Sequence, residues 1–283
     1  MADKASTKDG LPSKAPSKAG FEPADWFWES RKKGTSTYGT LGFTVLRALD
    51  LPLQWWLLRS GTGLDMIRRI GLTPIAQPVL QATTTALGLS PYHSLVFGLA
   101  CGSSLKQIYW KLFVGDTVMP AGFSGIVAVY NSALNSLNTL LALWAISSQQ
   151  PTDQSSLKAF LLSAPPALQV GLALYSVGLF TEWWCEIQRK SFKKEPNNQG
   201  KPYSGGLFSL ARNINYGGYT LWRSGYSLIC GGWVWAGMMC SFLAGDFINR
   251  AIPSMDAYCE KRYGEQWEEV RKKVPYRLLP WIY

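Results

Sequence analysis

The apolar residues of this chain arrive in blocks separated by short polar stretches. "LGFTVLRALDLPLQWWLL" (Leu41–Leu58), "GFSGIVAVYNSALNSLNTLLALWAI" (Gly122–Ile146) and "LKAFLLSAPPALQVGLALYSVGLFTEWW" (Leu157–Trp184) are each near the roughly 20 residues that cross a bilayer. "GYSLICGGWVWAGMMCSFLAGDF" (Gly225–Phe247) is a fourth block, and "YHSLVFGLACGSSLKQIYWKLFV" (Tyr92–Val114) a fifth, with Lys106 and Lys111 near its end. The pattern predicts an all-α fold, a polytopic transmembrane helical bundle. Composition agrees: 16% of residues are charged and 47% hydrophobic, against about 25% charged in an average globular chain. A soluble all-α protein with unusually buried helices is the alternative, and the shortage of solvating charge weighs against it.

Charge then sets the orientation. The opening "MADKASTKDGLPSKAPSKAG" is rich in Lys, Ser and Pro and lacks the apolar core of a secretory signal. Residues 1–38 are therefore expected to be a disordered basic tail, with the first apolar block serving as insertion signal. The net charge of +10 gathers in this tail, in "RKSFKKEPNNQGK" (Arg189–Lys201) and in "EKRYGEQWEEVRKKVPYR" (Glu260–Arg277), whereas "SSQQPTDQSS" (Ser147–Ser156) has no Lys or Arg. Basic flanks favour the cytosolic side, so both termini are expected there and the Ser147–Ser156 loop opposite. A nucleic-acid role is disfavoured, because the patches flank apolar spans without any nucleic-acid motif. Two basic segments on one side, with one apolar block between them, also require an even number of crossings. That predicts a C-terminal helical hairpin bent at Gly231-Gly232, with arms near Tyr216–Cys230 and Trp233–Ile248.

Several chemistries are excluded. The single histidine, His93, rules out sites built on histidine clusters, and no G-x-S-x-G elbow accompanies it. The five cysteines form no C-x-x-C pair, so no metal site is expected. Neither a P-loop nor a G-x-G-x-x-G fingerprint occurs.

Candidate chemistry concentrates after residue 180. Glu182 and Glu186 stand one helical turn apart on one face at the edge of an apolar block, where carboxylates are costly to bury and so are functional candidates. Near the end, Met255, Cys259, Tyr263, Trp267 and Val270 form one stripe at helical spacing. A cytosolic amphipathic C-terminal helix is expected, capped by Ser254 and stopped by Pro275.

The order of motifs resembles the steroid 5-alpha-reductase C-terminal superfamily, and within it an uncharacterised membrane group (DUF1295-like). The matching residues are Glu182, Gln188-Arg189, the basic loop from Phe192 to Lys201, Gly206-Leu207-Phe208, and Arg212-Asn213-Ile214-Asn215-Tyr216-Gly217-Gly218-Tyr219. The ending "YGEQWEEVRKKVPYRLLPWIY" is similar to the close of the sterol C14- and C7-reductases. Two positions depart from the pattern: Asn213 replaces its histidine and Tyr219 its acid. The resemblance implies a membrane-embedded enzyme, in the endoplasmic reticulum, that uses NADPH to reduce a carbon–carbon double bond in a lipid or steroid-like substrate. It implies a division into N-terminal transmembrane helices (39–180) and a cofactor-binding region (181–283). Cofactor contacts would fall to Arg189, Lys190, Arg212, Asn215, Tyr216, Tyr276 and Arg277, since arginine forks suit phosphates. Proton donors would come from Glu182, Glu186, Tyr109 and Tyr219. Two alternatives share the architecture: a methyltransferase of the isoprenylcysteine type using S-adenosylmethionine, and a non-catalytic lipid-binding homologue.

Overall fold

A computed structural model of the chain describes residues 32–75 and 85–283; most of the expected basic tail lies outside them. The described residues are all-α apart from two isolated β-bridges. Helix α1 spans Thr37–Arg59, so the boundary expected at residue 38 falls inside its first turn. Ser36 starts it, its Oγ accepting from Gly39 N at 3.1 Å. After a short α2 (Thr62–Arg69), α3 runs Pro91–Tyr109 and continues as a π-helical turn, Trp110–Val114. Ser90 caps α3 and Pro91 occupies its first turn, where the missing N–H costs nothing. Helix α4 is Ala121–Leu143.

The apolar block expected from Leu157 to Trp184 is two elements. A six-residue α5 (Leu157–Leu162) stops before the Pro165-Pro166 pair, and α6 restarts at Pro166 and runs to Lys194. The cause is local, because prolines inside a continuous helix would remove backbone hydrogen bonds and clash with the preceding turn. Two 3-10 turns, Pro196–Asn198 and Gly206–Ser209, then lead into α7 (Ile214–Asp246).

Helix α7 folds back on itself. Gly232 leaves helical geometry with φ 72° and ψ −170°. The Tyr216 ring stacks on Phe247 with centroids 4.7 Å apart, whereas a straight helix would hold those rings about 46 Å apart. A side chain at Gly232 would also press Gln149, which packs over the bend. Beyond α7 a π-helical segment (Phe247–Ala251) runs directly into α8 (Ile252–Tyr263), and α9 (Glu265–Lys273) follows. The amphipathic helix is thus not one element. Gly264, at φ 55°, breaks it, and Ser254 lies inside α8, donating back to the Arg250 carbonyl at 2.7 Å instead of capping. The expected stripe still packs: Cys259, Trp267 and Val270 close together across the break, with Met255 and Tyr263 against them.

All the long helices run between two ends. At one end, Tyr92 donates to the Ile229 carbonyl beside the α7 bend (2.8 Å), and Gln149 N donates to the Tyr92 hydroxyl (3.2 Å). This end holds the Ser147–Ser156 loop, which has no Lys or Arg. At the other, Val118 N donates to the Lys32 carbonyl (2.9 Å) and Lys106 pairs with Glu182. This end collects the basic segments. Helices α1, α4 and the first arm of α7 run away from it, and α3, α6 and the second arm return.

The polarity of the fold is inverted. Arg47, Asp50, Gln54, Asn135 and Arg223 are buried among the helices, whereas Leu49 and Trp56 of α1, Ile126 and Val129 of α4, and Val234 and Met238 of α7 face outward. Contiguous apolar faces of this kind mark a surface that meets something other than water. Among the described residues two helical runs, Ala121–Leu143 and Ile214–Tyr263, are long and apolar enough to cross a membrane. With the outward apolar rows, they make this a membrane-associated protein.

Candidate functional site

The site is positioned by a glycine contact between α6 and α7. Gly171 and Gly178 on α6 meet Gly225 and Gly218 on α7, each pair spaced seven residues and therefore two turns. A Cβ at Gly178 would stand 2.5 Å from the Trp222 backbone nitrogen, and one at Gly225 would stand 2.6 Å from the Gly171 carbonyl oxygen. Absent side chains let the two backbones close up, as small residues do in membrane helix pairs. One turn beyond Gly178, Glu182 is thereby pressed against α7. Its Oε2 accepts from Trp222 Nε1 at 2.6 Å, and its other oxygen pairs with Lys106 of α3. One turn further, the buried Glu186 pairs with Arg189.

Two cavities meet at this point. The first, of about 570 Å³, opens at the basic end; Lys33, Arg189, Lys190, Lys193, Lys194, Arg212 and Arg262 line it, against two acids, Asp116 and Glu186. Burial first, and Arg262 second, draw the Lys193 ammonium down to about 8. The second is a chamber of about 710 Å³ between α1, α3, α4 and the second arm of α7. Phe43, Phe123, Val127, Phe242 and Leu243 form its apolar wall, and Gln107, Asn131, Tyr130 and Tyr219 a polar strip. Glu186, Arg189 and Asn215 line both, so they form the passage between them.

Of the residues singled out from sequence, Glu182, Glu186, Arg189, Lys190, Asn215, Tyr216 and Tyr219 are gathered on these walls. Arg212 is on the first cavity's lining, yet its guanidinium is turned to the chain terminus. Nη1 donates to the Val274 carbonyl at 2.7 Å and to the Pro275 carbonyl at 3.2 Å, and Nη2 stands 3.8 Å from Asp256. Asn213 continues the same seam, its side-chain and backbone nitrogens both 3.0 Å from the Arg277 carbonyl. Tyr109, Tyr276 and Arg277 line neither cavity. Tyr109 packs on Phe113 and Trp183, Tyr276 packs on a small cluster around Phe208, and Arg277 lies over the Tyr283 ring. We expect Arg212→Ala to release the "VPYR" segment, at a cost on the order of 1.5–3 kcal/mol for hydrogen bonds from a charged donor. Faster amide exchange over residues 274–283 is the readout; unchanged protection there would contradict this stitching role.

Several residues at the site carried little sequence signal. Lys106 is one, and Arg223 another. Arg223 is fully buried; it donates to Asn135 Oδ1 at 2.8 Å and to Asn131 Oδ1, and lies 4.4 Å from the Trp222 ring centroid. Asn135 in turn donates to Asp50 at 2.7 Å, and Asp50 pairs with Arg47 at 3.3 Å. A polar network thus crosses the helical interior from α1 to the chamber wall. The spacing of Arg47, Asp50 and Gln54, and of Asn131, Asn135 and Asn138, puts each set on one helix face inside an apolar block, and that was the available signal.

Residues 128–274, just over half of the chain, match the family described as protein of unknown function DUF1295. The chain belongs to that family. It is 37% identical over 254 residues to the "Probable O-methyltransferase ustE" of Ustilaginoidea virens, covering 88% of each chain. It is also 30% identical over 88 residues to the "Probable 7-dehydrocholesterol reductase" of Acanthamoeba polyphaga mimivirus, and 29% identical over 70 residues to the Protein-S-isoprenylcysteine O-methyltransferase of Schizosaccharomyces pombe. Those two alignments span 31% and 25% of this chain, and 20% and 29% of the relatives. The chain is thus related both to sterol reductases and to isoprenylcysteine methyltransferases.

Proposed function

We propose that this protein is a multi-pass membrane enzyme that uses NADPH to reduce a carbon–carbon double bond in a lipid or steroid-like substrate. The observation that carries this reading is the charge of the first cavity and its passage to an apolar chamber. Seven Lys and Arg side chains against two acids suit a ligand bearing several phosphate charges, and they disfavour the net-positive S-adenosylmethionine. NADPH, when bound, supplies a hydride. Arg189, Lys190 and Lys193 would hold its phosphates at the basic end. Asn215 can donate and accept from the passage wall, and Tyr216, stacked on Phe247, fixes one side of the chamber. Glu182 and Lys106 neutralise each other there, so neither stands as an unpaired charge against an apolar ligand. In this reading α1, α3 and α6 also cross the bilayer of the endoplasmic reticulum. Their buried charges meet one another instead of lipid, and the basic end faces the cytosol.

A second reading, methyl transfer to oxygen from S-adenosylmethionine, is favoured by the relative that matches nearly the whole chain. A thermal-shift titration of the detergent-purified protein separates the two. The reductase reading expects NADPH alone to raise the melting temperature, by mass action on the native state. Stabilisation by S-adenosylmethionine alone would overturn it in favour of the methyltransferase, and silence from both would point to a non-catalytic lipid-binding protein.

The same titration should depend on pH. Lys193 is protonated below about 8 in the free cavity, against 10.5 for an ordinary lysine. NADPH affinity should therefore fall as pH rises through about 8, and the fall should flatten in Lys193→Gln. Folding stability has the opposite sign. Between about 8 and 10.5 the unfolded chain binds the extra proton, so stability rises with pH there. An affinity flat across this range would remove Lys193 from the ligand contacts.

A further inference from the structure

The passage between the two cavities has a second wall that the motif residues do not supply. Besides Glu186, Arg189 and Asn215, the residues lining both cavities include Val114, Asp116 and Thr117, from the connection between α3 and α4. That connection is fixed at its ends. Gly115 N donates to the Trp110 carbonyl at 2.8 Å, closing the π-helical turn, and Met119 is buried against Phe43 and Ala128. Between these anchors stands a short tip, residues 116–118. What clasps it is the segment before α1. Val118 N donates to the Lys32 carbonyl at 2.9 Å, and Gly34 N to the Asp116 carbonyl at 3.1 Å. Lys33 and Thr117 therefore face each other as the non-hydrogen-bonded pair of an antiparallel bridge. Lys33 Nζ stands 3.5 Å from Asp116 Oδ2, with both side chains mostly exposed. From the bundle side, Lys111 Nζ donates to the Thr117 carbonyl at 3.4 Å, a long bond.

Two backbone hydrogen bonds, one long side-chain bond and an exposed ion pair make a weak clasp. Its charges indicate what would open it. Lys33 is one of the seven cations of the first cavity, and Asp116 is one of its two acids. The other acid, Glu186, is buried against Arg189. Asp116 instead stands on the tip, with Lys33 as its ion-pair partner. A polyanion entering the cavity attracts Lys33 and repels Asp116, so it pulls on both halves of the clasp in the opening sense.

We propose that residues 116–118 form a gate in the passage, latched by residues 32–34, and that a polyphosphate-bearing ligand in the first cavity releases the latch through Lys33 and Asp116. The proposal rests on the reading of that cavity as a phosphate site. It adds a ligand contact, Lys33, and an order of events. The anionic ligand binds first, the tip swings away from the Lys32 and Gly34 backbone, and the way from the basic cavity into the apolar chamber widens.

Hydrogen exchange of the detergent-purified protein reads the latch directly, at the Gly34 and Val118 amides. Inorganic tripolyphosphate is the probe, because it carries the charge without a nicotinamide. In the wild type it should speed exchange at both amides by about fivefold, the scale of one exposed ion pair. Sodium chloride at matched ionic strength should do less, since screening weakens the pair without pulling on it. Asp116→Asn should exchange faster from the start and lose the response. Lys33→Cys with Thr117→Cys should form a disulfide, since such a bridged pair stands about 4.5 Å apart at Cα. Once oxidised, it should keep both amides slow with or without the probe. Exchange that tripolyphosphate leaves unchanged or slows, a response equalled by sodium chloride, or an oxidised pair that exchanges as fast as the reduced one would overturn the proposal. Unlatching by tripolyphosphate in a protein that NADPH does not stabilise would sink the reductase reading alone. NADPH stabilisation with no change at the two amides would sink only this proposal.

Discussion

Asp50→Leu should destabilise the protein by about 3–5 kcal/mol, the cost of leaving a buried charge without its partner. The side chains of Arg47 and Asp50 are both fully buried and 3.3 Å apart. Arg47 keeps Ser132 and Ser104 as acceptors, at 2.8 and 2.6 Å, but these are neutral. The loss spreads, because Asp50 is also the acceptor for Gln54 and Asn135, at 2.9 and 2.7 Å. Removing both charges together should behave differently. Replacing a buried ion pair by packed apolar groups is often close to neutral, so Arg47→Met with Asp50→Leu should recover most of the lost stability. Thermal unfolding in detergent, followed by far-UV circular dichroism, measures all three proteins. A neutral single variant would mean that water reaches the pair, and a double variant as unstable as the single would mean that the orphaned Gln54 and Asn135 donors, not the charge, set the cost.

The second large effect is expected at Gly178. Leucine there would push its Cβ to 2.5 Å from the Trp222 nitrogen and 2.7 Å from the Gly218 carbonyl oxygen. Backbone cannot yield as a side chain can, so α6 and α7 must separate, at the upper end of the about 1–3 kcal/mol typical of overpacking. The shift reaches the site directly, because Glu182 sits one turn away and is held to α7 through Trp222. Gly98→Leu is the control, since a Cβ there meets nothing within 4 Å. Both variants would be compared by melting temperature and by NADPH stabilisation. Equal behaviour of the two would refute the close helix contact as the device that sets the site.

Much of this arrangement was legible in the chain. The apolar blocks give the long helices, and charge parity with Gly231-Gly232 locates the fold-back seen between Tyr216 and Phe247. The motif residues Glu182, Glu186, Arg189, Asn215 and Tyr219 do converge. What stayed hidden depended on partners distant in sequence. Arg212 reads as a phosphate ligand from its motif, but the fold turns it to the carbonyls of Val274 and Pro275. Arg277 and Tyr276 share the terminal motif, yet that segment meets Arg212 and Asn213 through its backbone carbonyls, and its side chains line neither cavity. Arg223 reads as an oddity in an apolar run until α4 brings Asn131 and Asn135 against it. The break at Gly264 was missed because an apolar stripe at helical spacing survives the turn that interrupts it.

The fold-back of α7 also bears on how the molecule is assembled. Its first arm carries Arg223 at mid-length, and the side-chain amides that accept from that guanidinium stand on α4. Such an arm has no stable place in lipid by itself. Its descending partner brings no acidic group to the level of Arg223, since Asp246 lies near the opposite end of that arm. In the multi-pass reading proposed above, the two arms would therefore enter the membrane together, docking onto an α4 already in place. A chain whose α4 lacked Asn131 and Asn135 would be expected to strand the hairpin outside the bundle, a failure of biogenesis that precedes any question of catalysis.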